Sequence, residues 1–298
     1  MSEPKMPDDL VRLWRLRAGP RLGRPAELDI DRVVDTAVRL ADESGLAGAT
    51  LPKIAAALSV TPMSLYRHIG SKEELVGLMV DAALGPAPDS AQRLAPGSAP
   101  GEVPGSQPDR AGGATSDTVS TSDSPQRTGA TTTLGSSPES GSPTWRPALR
   151  CWALAQSEVF RRRPWLAQLP VTGPPRGPNA IAWMDAGLRT LRETGLDWAA
   201  KIGVITVVGG YVRQAFVLDR QLTESRGAAH VDEQQALRQY VRELTGVVDS
   251  DRFPEVAALL GSGLFESVPD APESADQDFA FGLDLVLDGV AAAAERAR

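Results

Sequence analysis

The sequence predicts an all-α protein with two helical domains, one on each side of a low-complexity segment. Apolar residues on both sides recur with the 3.6-residue period of amphipathic helices. Neither side shows the alternating β-branched runs or Asn-Gly turns that indicate strands and hairpins. The chain has 298 residues, 42% of them hydrophobic and 23% charged, which is sufficient for two packed cores.

Residues 85–143 form the clearest boundary in the chain. Of these 59 positions, 36 are Pro, Gly, Ser or Thr, and none is aromatic. This composition cannot bury enough apolar surface to offset the entropy lost on ordering, so we expect a disordered linker or an extruded loop. The predicted division is therefore an N-terminal arm at 1–19, a small helical domain at 20–84, the linker at 85–143 and a larger helical domain at 144–298.

The small domain is predicted to contain four helices, and the first two have clear end signals. The first helix begins after Asp29 or Asp31, either of which can act as N-cap, and ends at Gly45. A short second helix, Leu51–Leu58, follows Thr50 as its N-cap and tolerates a proline in its first turn.

The third and fourth helices are also delimited by capping residues. Thr61 precedes a third helix that starts at Pro62 and runs to about His68. The fourth begins after Ser71, and Glu74 completes a capping box in which each side chain accepts a backbone N–H of the other residue. A Gly-Pro pair ends this helix after residue 84.

The larger domain is predicted to contain six further helices of mostly amphipathic pattern. They are Trp145–Arg163, Asn179–Thr194, Asp197–Leu222, His230–Leu244, Pro254–Leu260 and Ser274–Arg298. Internal repeats are not evident.

The second and third helices, joined by a tight turn, suggest a helix-turn-helix. With Leu65 and Ile69 turned inward, the third helix exposes small, polar and basic side chains, namely Pro62, Met63, Ser64, Arg67 and His68. A two-turn helix with such a face suits a DNA major groove about 12 Å wide. Three packed helices with a solvated surface would have the same spacing, so the pattern alone leaves both interpretations open.

Several short motifs in this region carry a family resemblance. They are Gly23-Arg24-Pro25, Ala49-Thr50-Leu51, Leu58-Ser59-Val60, Ser64-Leu65-Tyr66-Arg67-His68-Ile69 and Ser71-Lys72-Glu73-Glu74-Leu75. Their fixed spacing closely resembles the DNA-binding domain of tetracycline-repressor-type (TetR) regulators over about residues 20–84. A weaker similarity to the last helix of the tetracycline-repressor-like C-terminal domain lies in Phe279-x-Phe281-Gly282-Leu283-Asp284 and Leu287-Asp288-Gly289. Ser59 stands where the family usually has glycine in the turn, which predicts a left-handed backbone at this residue.

The resemblance implies a role for each matching position. The residues implied to face DNA bases are Thr61, Pro62, Met63, Ser64, Arg67 and His68. Those implied to contact phosphates, which set register without reading sequence, are Thr50, Tyr66 and Lys72. Arg67 is the candidate for guanine, because a guanidinium reaches O6 and N7 together. Tyr66 could equally be a core ring with its hydroxyl at the surface, and His68 could simply stabilise the helix C-terminus.

The N-terminal arm carries a local excess of positive charge that the net charge of −7 conceals. Between residues 10 and 25 there are five arginines and no acidic residue, the arginines being Arg12, Arg15, Arg17, Arg21 and Arg24. We expect the arm to meet the DNA backbone or a minor groove, with Arg21 and Arg24 among its phosphate contacts. Apolar residues between these arginines would also allow an extra amphipathic helix, packed on the protein or available to DNA.

Helix-turn-helix domains of this size usually bind a palindromic operator as two-fold dimers, so we expect a homodimer. The most apolar long segments, 202–218 and 279–294, are the candidate dimerising helices. Their glycines indicate close helix approach, space for a ligand, or a kink.

The tryptophan-rich helices at 145–194 would enclose a small-molecule effector pocket, as the family resemblance implies, or form a packed aromatic core. The fourth helix is apolar nearly all round and would couple this sensor to the DNA-binding domain.

Composition and motifs exclude several other classes. With a single cysteine and two histidines, we expect no metal centre. We find no cofactor motif and expect no cofactor. No nucleophile-elbow, zincin or dinucleotide-binding motif indicates an enzyme. No segment looks like a signal peptide, and the most apolar run, Ile202–Tyr211, is too short to span a membrane, so we expect a cytoplasmic protein. The sequence thus predicts a DNA-binding regulator, by resemblance a repressor released by a small molecule. The alternative is a DNA-anchored helical module regulated by a protein partner.

Overall fold

The structure is a computed structural model that describes residues 6–16, 28–88, 145–229, 233–266 and 271–298. Within these ranges the regular structure is entirely helical and contains no strand, which confirms the all-α prediction. The predicted linker lies almost wholly outside the described residues, as do Arg17, Arg21 and Arg24.

The described residues of the N-terminal part form five α-helices. They are α1 (Asp8–Leu13), α2 (Ile30–Ser44), α3 (Leu51–Ala57), α4 (Pro62–Ile69) and α5 (Lys72–Leu84). A single 3₁₀ turn, Leu46–Gly48, lies between α2 and α3. Fully buried side chains of α2, α3 and α4 form the core of this part, the largest being Val33, Val34, Ile54, Leu65 and Ile69.

Over residues 145–229, 233–266 and 271–298, the C-terminal part forms seven α-helices and a second 3₁₀ turn at Leu264–Glu266. The helices are α6 (Trp145–Arg162), α7 (Trp165–Gln168), α8 (Pro178–Thr190), α9 (Trp198–Ala229), α10 (Glu233–Thr245), α11 (Pro254–Leu260) and α12 (Ala271–Arg296). Helix α9 packs between α6 and α12, and α6 also contacts α8. The largest fully buried side chains here are Leu149, Leu191, Val208, Val212, Leu283 and Leu287, and this core is continuous with that of the N-terminal part.

Most helix ends fall within a few residues of the prediction, but three differ for identifiable reasons. Helix α8 ends at Thr190 rather than Thr194, because the chain then turns and Gly195 adopts φ 75°. Helix α9 continues seven residues past the predicted Leu222, where Arg220 and Glu224 form an i,i+4 ion pair at 2.6 Å. The short α7 was not predicted, since four residues are too few for a periodic apolar signal.

The predicted caps are partly wrong. The side chains of Asp29 and Ser71 do cap α2 and α5, accepting backbone N–H groups at 2.8 and 3.0 Å. Thr50 and Thr61 occupy the N-cap positions of α3 and α4 but make no side-chain cap bond. In α3, the proline at the second helical position lacks one of the N–H groups that such a cap would accept. Glu74 does not complete a reciprocal capping box, because its carboxylate pairs with an arginine of α1 instead.

The apolar run Ile202–Tyr211, which alone is too short to span a membrane, lies within the much longer helix α9. Over Trp198–Ser225 this helix is long and apolar enough to cross a membrane by length and composition alone, with a mean hydropathy of 1.3. One side of α9 is nevertheless buried in the protein core through Ile205, Val208 and Val212. Other large apolar side chains of α9 are exposed on the single chain, namely Trp198, Ile202, Val207, Leu218 and Leu222.

Candidate nucleic-acid interface and its junction with the C-terminal domain

Helices α3 and α4 form a compact helix-turn-helix. The turn between them depends on Ser59, which adopts φ 57° as its position in the motif predicted. Ser59 and Val60 donate their backbone N–H groups to carbonyls of α3 at 3.1 and 2.9 Å. These bonds close the turn and let Ile54 of α3 and Leu65 of α4 meet in the core without exposure to solvent.

The outward face of α4 contains the predicted base-reading residues. Met63 is 74% exposed, and Pro62 and Arg67 are exposed as well. Ser64 and His68 are half-buried along the same helix. A face that combines an exposed thioether, a proline and a guanidinium is able to contact base edges in a major groove.

Polar and basic groups flank this face. The hydroxyl of Thr61 lies 2.9 Å from that of Ser64, so the two side chains orient each other at the start of α4. Thr50 and Lys72 lie at the N-terminal ends of α3 and α5, where backbone N–H groups favour phosphate. Tyr66 is 41% exposed, which favours the surface role over the core-ring alternative.

The N-terminal arm packs on the protein over its described part. Helix α1 forms there, and Arg12 donates two hydrogen bonds from Nε and Nη2 to Glu74 Oε2 at 2.8 and 2.5 Å. Arg15 pairs with Asp31 at 2.7 Å. These two arginines therefore pair within the chain, as in the packed-helix alternative that the sequence left open, because carboxylates of α2 and α5 lie within reach.

Helix α1 also reaches the C-terminal domain. Trp14 donates its indole N–H to the carbonyl of Arg176 at 2.8 Å, and the Arg176 guanidinium pairs with Asp9 at 2.9 Å. The same short helix thus contacts α5 and the segment that precedes α8. Nothing in the sequence pattern indicated this bridge, since residues far apart in the chain form it.

The main contact between the two domains joins α5 to the N-terminus of α8. The Asp81 carboxylate accepts the backbone N–H of Ala180 at 2.9 Å, and Asn179 donates its amide to the Asp81 carbonyl at 3.0 Å. Asp81 thereby caps α8 from another helix, since Gly177 at the N-cap position has no side chain to do so. A Cβ at Gly177 would lie 2.1 Å from Asp81 Oδ1, so only glycine fits here. Burial raises the pKa of Asp81, and these hydrogen bonds partly oppose that rise.

Tryptophan and arginine side chains add further bonds across the junction. Trp165 donates to Asp42 Oδ1 of α2 at 2.7 Å, and Trp183 donates to the carbonyl of Gly85 at 3.1 Å. Arg163 donates to the carbonyl of Ala83 at 2.7 Å. Helix α5 thus contacts both domains, as its apolar surface predicted.

A cavity of about 710 Å³ opens beside this junction. Its walls come from α1, from the exposed side of α5 and from residues 166–177. None of the tryptophans at 145, 152, 165 and 183 lines it, because all four are buried within the helix packing. These rings therefore belong to the core, which is one of the two roles that the sequence left open.

The long helices α9 and α12 carry exposed apolar side chains. Val207 of α9 is 57% exposed, and Phe281 and Leu285 of α12 are 68% and 57% exposed. Among the interfacial glycines suggested by sequence, Gly282 does have a close neighbour, the Tyr211 ring of the same chain. A Cβ at Gly203 would meet no atom within 4 Å in the single chain. The structure thus leaves an apolar surface on α9 and α12.

A helix-turn-helix with an exposed reading helix, coupled to a larger helical domain with an apolar face, defines a DNA-binding transcriptional regulator. The chain belongs to the tetR family of bacterial regulatory proteins. Residues 33–79 match the family described as "Bacterial regulatory proteins, tetR family", and residues 137–294 match "Tetracyclin repressor-like, C-terminal domain".

Individual relatives agree with this assignment. The chain is 28% identical over 278 residues to the HTH-type transcriptional repressor DrrR1 of Streptomyces coeruleorubidus. The matched region covers 93% of this chain and 83% of that protein. It is 36% identical to the class E tetracycline repressor protein of Escherichia coli, but over only 59 residues, or 20% of this chain and 28% of that one. The fold is shared with ActR of Streptomyces coelicolor in complex with actinorhodin, at a TM-score of 0.60 and 22% identity over 90% of this chain and 99% of that one.

Proposed function

We propose that a dimer of this chain binds a palindromic operator through α4 of each subunit, represses transcription, and is released by a small-molecule effector. The observation that carries this proposal is the outward face of α4, where Met63 and Arg67 are exposed on a helix whose opposite side is locked into the core. The relative DrrR1 is named a transcriptional repressor, which supports the proposed sign of regulation.

The residue roles follow from position on this surface. Thr61, Pro62, Met63, Ser64, Arg67 and His68 form the base-reading set. Thr50, Tyr66 and Lys72 flank it as phosphate contacts. Arg21 and Arg24 keep the phosphate role proposed from the sequence, although they lie outside the described residues.

Effector release would act through the spacing of the two α4 helices. Two half-sites lie one duplex turn, about 34–36 Å, apart, so a change in that spacing prevents both subunits from docking together. Helix α5 follows directly on the helix-turn-helix and is fixed to α8 through Asp81. A ligand that displaces α8 or its preceding segment would therefore move α4.

The ActR structure with actinorhodin supports a small-molecule effector, and no observation on this chain favours a protein partner in that role. The exposed apolar surface of α9 and α12 is the proposed subunit interface, which would also account for the membrane-like composition of α9. As a DNA-bound regulator the protein would act in the cytoplasm.

A footprint on the DNA upstream of the chain's own coding region tests the proposal. We expect two protected half-sites whose centres are separated by about one duplex turn. Arg192→Ala, which removes an exposed arginine from the C-terminal domain, serves as the charge-matched control and should leave the footprint intact. Lack of preference among random duplexes, with a monomer at micromolar concentration, would refute the proposal.

A further inference from the structure

The junction cavity has apolar walls formed by separate parts of the chain. Helix α5 contributes Val76, Gly77 and Val80, and the facing segment contributes Leu169 and Val171. Helix α1 adds a third wall. A volume of about 710 Å³ falls within the range of pockets that bind drug-sized molecules.

The charged groups around the cavity balance one another. Four acidic and four basic side chains line it, so its walls carry no net charge. The guanidinium of Arg12 is paired with Glu74, and that of Arg176 is paired with Asp9. Arg213 donates to backbone carbonyls. These pairings leave little electrostatic preference for a charged ligand, because a buried ligand charge must find its own partner.

We propose that this cavity is a binding site for an uncharged and largely apolar small molecule. Such a ligand would bury its faces between the aliphatic side chains of α5 and the proline-rich segment at 169–177. An anionic or cationic ligand of the same size would bind less well, since the charged groups of the apolar interior are already bonded within the chain and the other two, Lys72 and Glu73, are exposed to water at the start of α5.

The position of the cavity gives its occupancy a direct route to DNA binding. Its walls include α5, which carries Lys72 at its first turn, and the segment whose far end is held by Asp81. The distance between these walls depends on how the two domains are arranged. A ligand that binds one arrangement of the domains more tightly than another shifts the protein toward that arrangement. This part of the inference rests on the proposed function, whereas the binding site itself does not.

Gly77 offers a way to close the cavity without disturbing the core. It lies on the exposed side of α5, and a Cβ built there would meet no atom within 4 Å. Gly77→Phe should place a ring in the cavity. Gly77→Ala is the matched control, because it also removes the unfavourable helix propensity of glycine but does not fill the space.

Equilibrium dialysis of the full chain against N-phenyl-1-naphthylamine, an uncharged aromatic probe, tests the site in the absence of DNA. We expect saturable binding by wild type and Gly77→Ala, and binding weaker by about tenfold or more in Gly77→Phe, because the ring occupies the probe's space. Equal binding by all three proteins would overturn the proposal. The sulfonated relative 8-anilino-1-naphthalenesulfonate should bind less tightly than the uncharged probe, and tighter binding would overturn the assignment of an uncharged ligand.

A second variant keeps the test valid if Gly77→Phe does not fold. Val171 lines the opposite wall and is 79% exposed, so Val171→Glu adds a charge to the cavity without cost to the core. It should also weaken uncharged-probe binding. Operator affinity of the wild-type chain is then measured with and without saturating probe. A changed affinity supports coupling between the cavity and DNA binding through α5. An unchanged affinity overturns that coupling, and the dialysis result alone then tests whether the cavity is a binding site.

Discussion

The two kinds of DNA contact proposed for α4 and its surroundings differ in what a single substitution should do. Arg67 presents a guanidinium on the outward face of α4, whereas Lys72 lies in the first turn of α5. A base contact affects one position of the operator, while a phosphate contact affects every sequence alike.

Arg67→Ala should weaken operator binding by about 1–3 kcal/mol and relax preference at one base pair, because a bidentate contact with guanine is lost. Lys72→Ala should weaken binding to all sequences and reduce the slope of log affinity against log salt by about 1 per subunit. Competition binding with single-base operator variants at several salt concentrations measures both effects. Uniform weakening by Arg67→Ala would reassign that residue to a phosphate.

Asp81 is the residue on which the α5–α8 contact depends most. Its side chain is only 7% exposed and accepts the Ala180 N–H at 2.9 Å. Burial raises its pKa from the ordinary value of 3.8, so the folded state holds the proton more tightly than the unfolded state. The stability contributed by the protonated form is therefore fully present below pH 3.8 and is lost as the pH rises through the raised pKa.

Asp81→Asn removes this titration but keeps an oxygen that can accept the Ala180 N–H. The free energy of unfolding of wild type, relative to Asp81→Asn, should fall as the pH rises from below 3.8 toward neutrality. Urea unfolding of both proteins across that range measures the difference, with Asp185→Asn as an exposed control in α8. A difference that is constant with pH would contradict the role of burial. Asp81→Ala, which leaves the N–H without an acceptor, should cost about 1–3 kcal/mol.

Among the helices, α1 links more distant parts of the chain than its length of six residues suggests. It holds Glu74 of α5 through Arg12 and the segment before α8 through Trp14 and Asp9. Both ends of the Arg12–Glu74 pair are partly exposed, 30% and 28%, so solvent screens the interaction.

A double-mutant cycle with Arg12→Ala and Glu74→Gln should show a coupling of up to about 1 kcal/mol in unfolding free energy. The expected magnitude is that of a partly exposed ion pair, and it should shrink in high salt. Chemical denaturation at two salt concentrations gives the measurement. Arg39→Ala, at an exposed i,i+4 pair of α2, provides a comparison and should have a smaller effect.

The sequence predicted the elements better than the contacts between them. The starts of α3, α4, α6 and α11 follow from local signals, such as a threonine before a Pro-containing first turn, and those signals act within a few residues. The capping of α8 by Asp81 could not be predicted, because its partners are about a hundred positions apart. The same limit applied to Glu74, whose local capping-box pattern was overridden by an arginine from α1.

At the scale of the whole molecule, the exposed apolar surface of α9 and α12 is the proposed subunit interface. Val207→Glu and Leu285→Glu should give monomers, because a charge buried between subunits finds no partner. Sedimentation equilibrium measures the mass, and Val247→Glu, at a residue 76% exposed outside both helices, should remain dimeric. Operator affinity of the monomeric variants should fall steeply, since the two half-sites are then bound independently. Dimers in both interface variants would place the interface elsewhere.

Three of the six tryptophans donate their indole N–H across the boundary between the N-terminal part and the C-terminal domain. They are Trp14, Trp165 and Trp183, with acceptors at 2.8, 2.7 and 3.1 Å. Indole emission depends on such bonds and on exposure to water. A movement of the N-terminal part relative to the C-terminal domain should therefore change the emission wavelength and the intensity of the protein's own tryptophan fluorescence. No added label is needed to detect it.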